Sequence, residues 1–137
     1  LNGQTTQRMR QMAAIHRLKI ESDILKTGAV SPLLLEELFR TVDESIAYEL
    51  EIAGGTAATS LPGIGSGAAQ IETIQSFILV TDTSVTLSWN AANTSLVVGT
   101  GQRRAVFIAY GVSTTTVPTI ANSGSTTATI QIMAGGT

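Results

Sequence analysis

The sequence predicts an α+β fold in three pieces: an N-terminal helical hairpin over residues 1–53, a Gly/Ala/Ser linker over 54–70, and a small antiparallel β-sandwich or jelly-roll-like module over 71–137. Two observations predict it. Charge is concentrated in the first piece, which holds Arg8, Arg10, Arg17, Lys19, Lys26 and Arg40 among eight acids, whereas only Glu72, Asp82, Arg103 and Arg104 follow Gly54. The spacing of apolar residues also changes, from steps of three and four in the first piece to alternation in the last.

From Gln4 to Lys26 strong helix formers run without Pro or internal Gly, and Met9, Met12, Ile15, Leu18, Ile20, Ile24 and Leu25 form one broad apolar stripe. Thr27-Gly28 reads as a helix stop, and Ser31-Pro32 as an N-cap followed by Pro at the first helical position. In the second predicted helix Leu35, Leu38, Phe39, Val42, Ile46 and Leu50 share one face, and Glu36 with Arg40 is an i, i+4 pair. A hairpin of this length buries little by itself, so its stripe wants the β module or another copy.

Gly54-Gly55 ends the charged part, and the small-residue stretch to Gly67, broken by Pro62, reads as a linker. Strands are expected at 73–80, 84–89, 96–99, 104–112, 115–120 and 127–133, with alternation clearest in Val85–Trp89 and Ala128–Ile132. Six short strands make a small core, and Thr-rich strands lack the Lys and Pro that block edge pairing. Both features predict a closed homo-oligomer, a trimer with helices near its axis, with two-fold pairing as the alternative.

Composition excludes several classes. Formal net charge is −2 over 137 residues, which provides no field for nucleic acid or an acidic membrane. Cysteine is absent, and no apolar run reaches the roughly 18 residues of a membrane span. Leu1-Asn2-Gly3-Gln4 shows neither an initiator Met nor a signal-peptide pattern, which reads as trimming.

Few residues suggest chemistry. His16 is the sole histidine, with no nucleophile or further ligand in view, and reads as an ordinary helix residue. Glu36-Glu37 and Asp43-Glu44 read as the wetted side of a helix. Gly63 to Ala68 matches G-x-G-x-x-A, but the mechanism of that motif needs a strand before it and a helix after it. Trp89, Phe107 and Tyr110 read as core, and Thr114–Thr116 as a solvated face or a glycan contact. No catalytic residue, metal ligand or cofactor is predicted. The candidate association residues are Ile15, Leu18, Leu35, Val42 and Ile46 on the helix faces, with Arg103 and Arg104 at a β interface, pairing with Glu72 or Asp82 of an adjacent chain.

An N-terminal helical segment, a Gly/Ala/Ser linker and a Cys-free β module rich in Thr, Ser, Gly and Ala resemble, across the chain, structural proteins of tailed bacteriophage particles of the fibre, appendage or capsid-decoration type. That resemblance implies a non-enzymatic virion component, with one end attaching or oligomerising and the β end contacting other virion proteins. It also leaves open a tail-fibre tip that binds a host surface glycan or receptor.

Overall fold

The structure, a computed structural model, describes residues 14–22, 25–26, 29–30 and 34–137. Every regular element among these residues is a strand. In chain order they are β1 (Ala14–Ser22), β2 (Leu25–Lys26), β3 (Ala29–Val30), β4 (Leu34–Val42), β5 (Glu44–Ile52) and β6 (Thr56–Ser60), followed by β7 (Ile74–Thr81), β8 (Val85–Trp89), β9 (Ala92–Leu96), β10 (Ala105–Thr114), β11 (Thr119–Asn122) and β12 (Ala128–Gly136).

The helical hairpin is therefore overturned. The described residues between 14 and 42 instead form β ribbon, with β1 antiparallel to β4 from Ala14↔Val42 to Ser22↔Leu34, and β2 antiparallel to β3. Residues 44–52 form a strand of the main sheet. Met9, Met12 and Ile24, the Thr27-Gly28 stop and the Ser31-Pro32 cap lie outside the described residues.

The physical reason is a period of two within the charged region. In β5, Ile46, Tyr48, Leu50 and Ile52 turn inward while Ser45, Ala47, Glu49 and Glu51 are exposed. A helical template accounts for Val42, Ile46 and Leu50 but puts Tyr48 and Ile52 on the wet side. Helix propensity is worth only tenths of a kcal/mol per residue, roughly, for Leu, Glu and Ala, and pairing with β12 outweighs it.

Two four-stranded antiparallel sheets, β10-β7-β12-β5 and β6-β11-β8-β9, face each other across one core. Phe77, Leu79, Ile130 and Ile132 of the first sheet meet Val85, Leu87, Leu96 and Ile120 of the second. Trp89 lies 4.8 Å from Phe77 and 5.6 Å from Phe107 between ring centroids, which fills one end of the sandwich. The chain passes from one sheet to the other at most connections; β8 and β9 are joined instead by the two-residue turn Asn90-Ala91.

The expected linker is likewise packed structure. Thr56–Ser60 pairs with β11, and Leu61, Ile64 and Ile71 are buried. Tyr48 donates its hydroxyl to the Pro62 carbonyl at 2.9 Å, and burial pushes its pKa up to about 12. A Cβ on Gly65, at φ +102°, would meet the Val117 Cα at 2.6 Å, so that glycine serves a close backbone approach within the packed segment. The small core expected of the β module alone is thus enlarged from the charged region and from the linker.

Candidate assembly surface

The outer face of the β10-β7-β12-β5 sheet is built by register. Directly opposed residues share a face, so Ile108, Ile78, Met133 and Ala47 form one crosswise row and Val106, Val80, Gln131 and Glu49 the next. Apolar side chains make up the whole of the first row and half of the second, and Met133 is 46 % exposed. A groove of about 490 Å³ runs over Ala47, Ile78, Val80 and Met133. Contiguous apolar surface of this kind on a sheet's outer side marks an interaction site.

The third row, Tyr110, Ser76, Gly135 and Ser45, carries the ribbon. His16 is buried there, its Nδ1 2.5 Å from the Ser76 hydroxyl. Tyr110 donates its hydroxyl to the His16 carbonyl and lies edge-on to the imidazole with centroids 5.2 Å apart. Val42, 1 % exposed, sits over Gly135, where a Cβ would come within 2.9 Å of both Val42 Cγ1 and Ser76 Oγ. Burial lowers the His16 pKa, and its Nε2 has no hydrogen-bond partner among the described residues, so the neutral ring is the form that fits. Burial raises the Tyr110 pKa, opposed by Arg40.

Beyond this root the ribbon has two faces. Ala14, His16, Leu18 and Ile20 of β1 share one with Val42, Arg40, Leu38 and Glu36 of β4. Ile15, Arg17, Lys19 and Glu21 share the other with Thr41, Phe39 and Glu37, and here Ile15 is 68 % and Phe39 62 % exposed. A second cleft, of about 440 Å³, separates Ile15 and Arg17 from Ala47 and Met133 and joins ribbon to sheet face. An isolated two-stranded ribbon is marginally stable in water, and this one is anchored to its own body at its base.

The residues expected to mediate association separate into four groups. Ile15 is exposed on the ribbon and Leu18 is half-buried beside Leu38. Val42 is core-like at the ribbon root and Ile46 packs against the sandwich core, so neither is free to dock. Leu35 lies opposite Glu21 in β4, and its side chain is outside the described set. Arg103 and Arg104 are exposed just before β10, with Arg104 lining a small cleft beside Asp82 and Glu49 of its own chain.

Sequence reasoning missed Phe39, Val106, Ile108 and Met133 as surface residues, and His16 as the ribbon's anchor. Alternation in 104–112 and 127–133 held the signal for Val106, Ile108 and Met133, because both faces of those strands carry apolar residues. Trp89 packs against Phe77 and Phe107, and the hydroxyls of Thr114 and Thr116 donate to Asn90 Oδ1 at 3.1 and 3.4 Å. Among the described residues no group of three or more His, Cys, Asp or Glu side chains is placed to hold a metal ion. No family model matches the chain, and neither a curated protein nor a solved structure does.

Proposed function

We propose that this chain is a non-enzymatic structural component of a virus particle, of the kind found in tailed bacteriophages, which assembles with copies of itself and with neighbouring particle proteins. The single observation that carries the reading is the continuity between the apolar outer face, at Val106, Ile108 and Met133, and the ribbon that presents Ile15 and Phe39 beside it. A body with a complete core of its own has no internal need for this surface. Association buries it, and the ribbon gains a second packing partner. The resemblance in composition to phage fibre, appendage and capsid-decoration proteins supplies the particle.

The test uses the exposed residues, because polar substitution at Val42 or Ile46 would unfold the root or the core. The double change Ile15→Asp and Phe39→Asp is expected to leave the melting temperature of the body nearly unchanged. It should shift sedimentation toward smaller species and abolish incorporation into particles. Normal incorporation of that variant refutes the attachment surface, and a wild-type chain that stays monomeric at tens of micromolar refutes the assembly reading.

A further inference from the structure

We infer that copies of this chain join side by side and head to tail, the free edge of β10 in one copy adding to the free edge of β5 in the next. This rests on the assembly reading above and adds to it a lateral contact, separate from the one that buries the outer face and the ribbon. The β10-β7-β12-β5 sheet ends in two long strands, each hydrogen-bonded to a neighbouring strand on one side only among the described residues. Strand β5 pairs with β12 through unbroken register from Glu44↔Gly136 to Ile52↔Ala128. Its other side presents a regular row of backbone donors and acceptors with no bulge to disrupt it.

Strand direction permits the join. Each neighbouring pair in the sheet is antiparallel, so β5 and β10 run in opposite directions, and a second copy placed beside the first in the same orientation meets β5 antiparallel through its β10. The other sheet obeys the same rule. Its edges are β6 and β9, which are also mutually opposed, with β6 following β5 through the turn at Ala53–Thr56 and β9 touching β10. One lateral step therefore continues both sheets of the sandwich.

Charge selects this arrangement over a two-fold one. The row Ala105–Thr81–Ile130–Leu50 fixes the next row as Arg104, Asp82, Thr129 and Glu51, with the guanidinium at one edge of the sheet and the carboxylate at the other. Unstaggered head-to-tail addition thus brings Arg104 beside Glu51 and Val106 beside Glu49, and places Ile108 beside Ala47, so the apolar row runs on across the seam. Two-fold pairing of β5 with itself gathers Glu49 and Glu51 from both copies into one seam, where like charges repel. Head-to-tail contacts of this kind close into rings or run on as filaments. The occupant of the β5 edge is accordingly a second copy of this chain.

Complementary charge reversal tests it. Glu51→Arg and Arg104→Glu both lie at exposed positions, and circular dichroism is expected to show each variant folded. Sedimentation velocity on each alone should show association weakened at least about 10-fold relative to wild type. An equimolar mixture restores wild-type association, because alternating copies regain an opposite-charge contact at every seam. Single variants that assemble as well as wild type overturn the edge join while leaving self-assembly intact, and so does a mixture that stays dissociated. A wild-type chain that never assembles overturns the assembly reading itself.

Discussion

His16 and Ser76, 60 residues apart in the chain, share a buried hydrogen bond of 2.5 Å that pins the ribbon onto the outer sheet. Tyr110 closes the same corner from β10 by donating to the His16 carbonyl. The ribbon's position over the sheet thus depends on a neutral imidazole in a site that burial makes unfavourable for the cation.

Acidification should therefore loosen the ribbon. The folded pKa lies below the ordinary 6.5, so the folded state binds fewer protons than the unfolded one as pH falls past that value. The stabilisation is fully present above pH 6.5 and is lost as pH drops through 6.5 toward the depressed folded value, at up to about 1.4 kcal/mol per pH unit. Amide protection factors in β1 and β4, corrected for the intrinsic pH dependence of exchange, are expected to fall between pH 7.5 and 5 more than those in β7 and β12. In His16→Asn that difference should vanish; an unchanged profile in the variant refutes the assignment.

Gly135 is the floor under the ribbon root, and a methyl group there has nowhere to go. Its Cβ would stand 2.9 Å from Val42 Cγ1 and Ser76 Oγ, both in buried residues. Gly135→Ala is expected to cost about 1–3 kcal/mol in chemical denaturation. Combining it with Val42→Ala should cost less than the sum of the two single changes, because the smaller side chain vacates the contested volume. Strict additivity of the two changes would show that they do not share that space.

How much of this was legible in the sequence differs by element. The segments expected at 73–80, 84–89, 104–112 and 127–133 fall on β7, β8, β10 and β12 within a few residues, since β-branched and aromatic alternation marks half-buried strands. Strands β1, β4 and β5 were hidden because Leu, Glu, Ala, Arg and Lys favour helices while Ile15, Leu18, Leu38 and Val42 also fit helical steps. The alternation Ile46, Tyr48, Leu50, Ile52 against Glu49 and Glu51 was present to be read, and the pairing with β12 decides it. The surface was harder. Ile15 is exposed because it falls on the outer side of a strand, and no property of residues 14–18 alone announces that His16, one position on, reaches Ser76.

The Asn90-Ala91 turn offers a gain in stability. Both residues have positive φ, 50° and 65°, as a two-residue hairpin of type I′ requires, and Asn90 is well suited to its place while Ala91 is not. An L-residue with a Cβ in this region costs roughly 1–2 kcal/mol. Ala91→Gly relieves that strain and adds back some unfolded-chain entropy, so we expect a net stabilisation of about 1 kcal/mol by denaturant titration. The hydrogen bonds from Thr114 and Thr116 to Asn90 are unaffected, and a destabilised variant would show that the turn is not of this type.

Asn122 is the polar tie between the two sheets, and its removal should be among the costliest single changes outside the apolar core. It is fully buried in β11, where its amide Nδ2 donates to the carbonyls of Ile52 in β5 at 3.0 Å and of Thr126 at 2.8 Å, while Oδ1 accepts the Gly124 N–H at 3.1 Å. Truncation strands the Ile52 carbonyl in a buried site and breaks the part-buried contacts to Thr126 and Gly124. A hydrogen bond contributes about 1 kcal/mol net, and an unsatisfied buried partner costs about 1–3, so Asn122→Ala is expected to lose roughly 2–4 kcal/mol. Asn122→Asp keeps the shape and the acceptor for Gly124 but faces two carbonyls with a carboxylate, so it should also be destabilised, more at pH 7 than at pH 4, where the protonated acid can donate to one of them. Urea denaturation at the two pH values, each referred to wild type at the same pH, measures this difference. Equal losses at both would show that the Nδ2 contacts to Ile52 and Thr126 do not hold the sheets together.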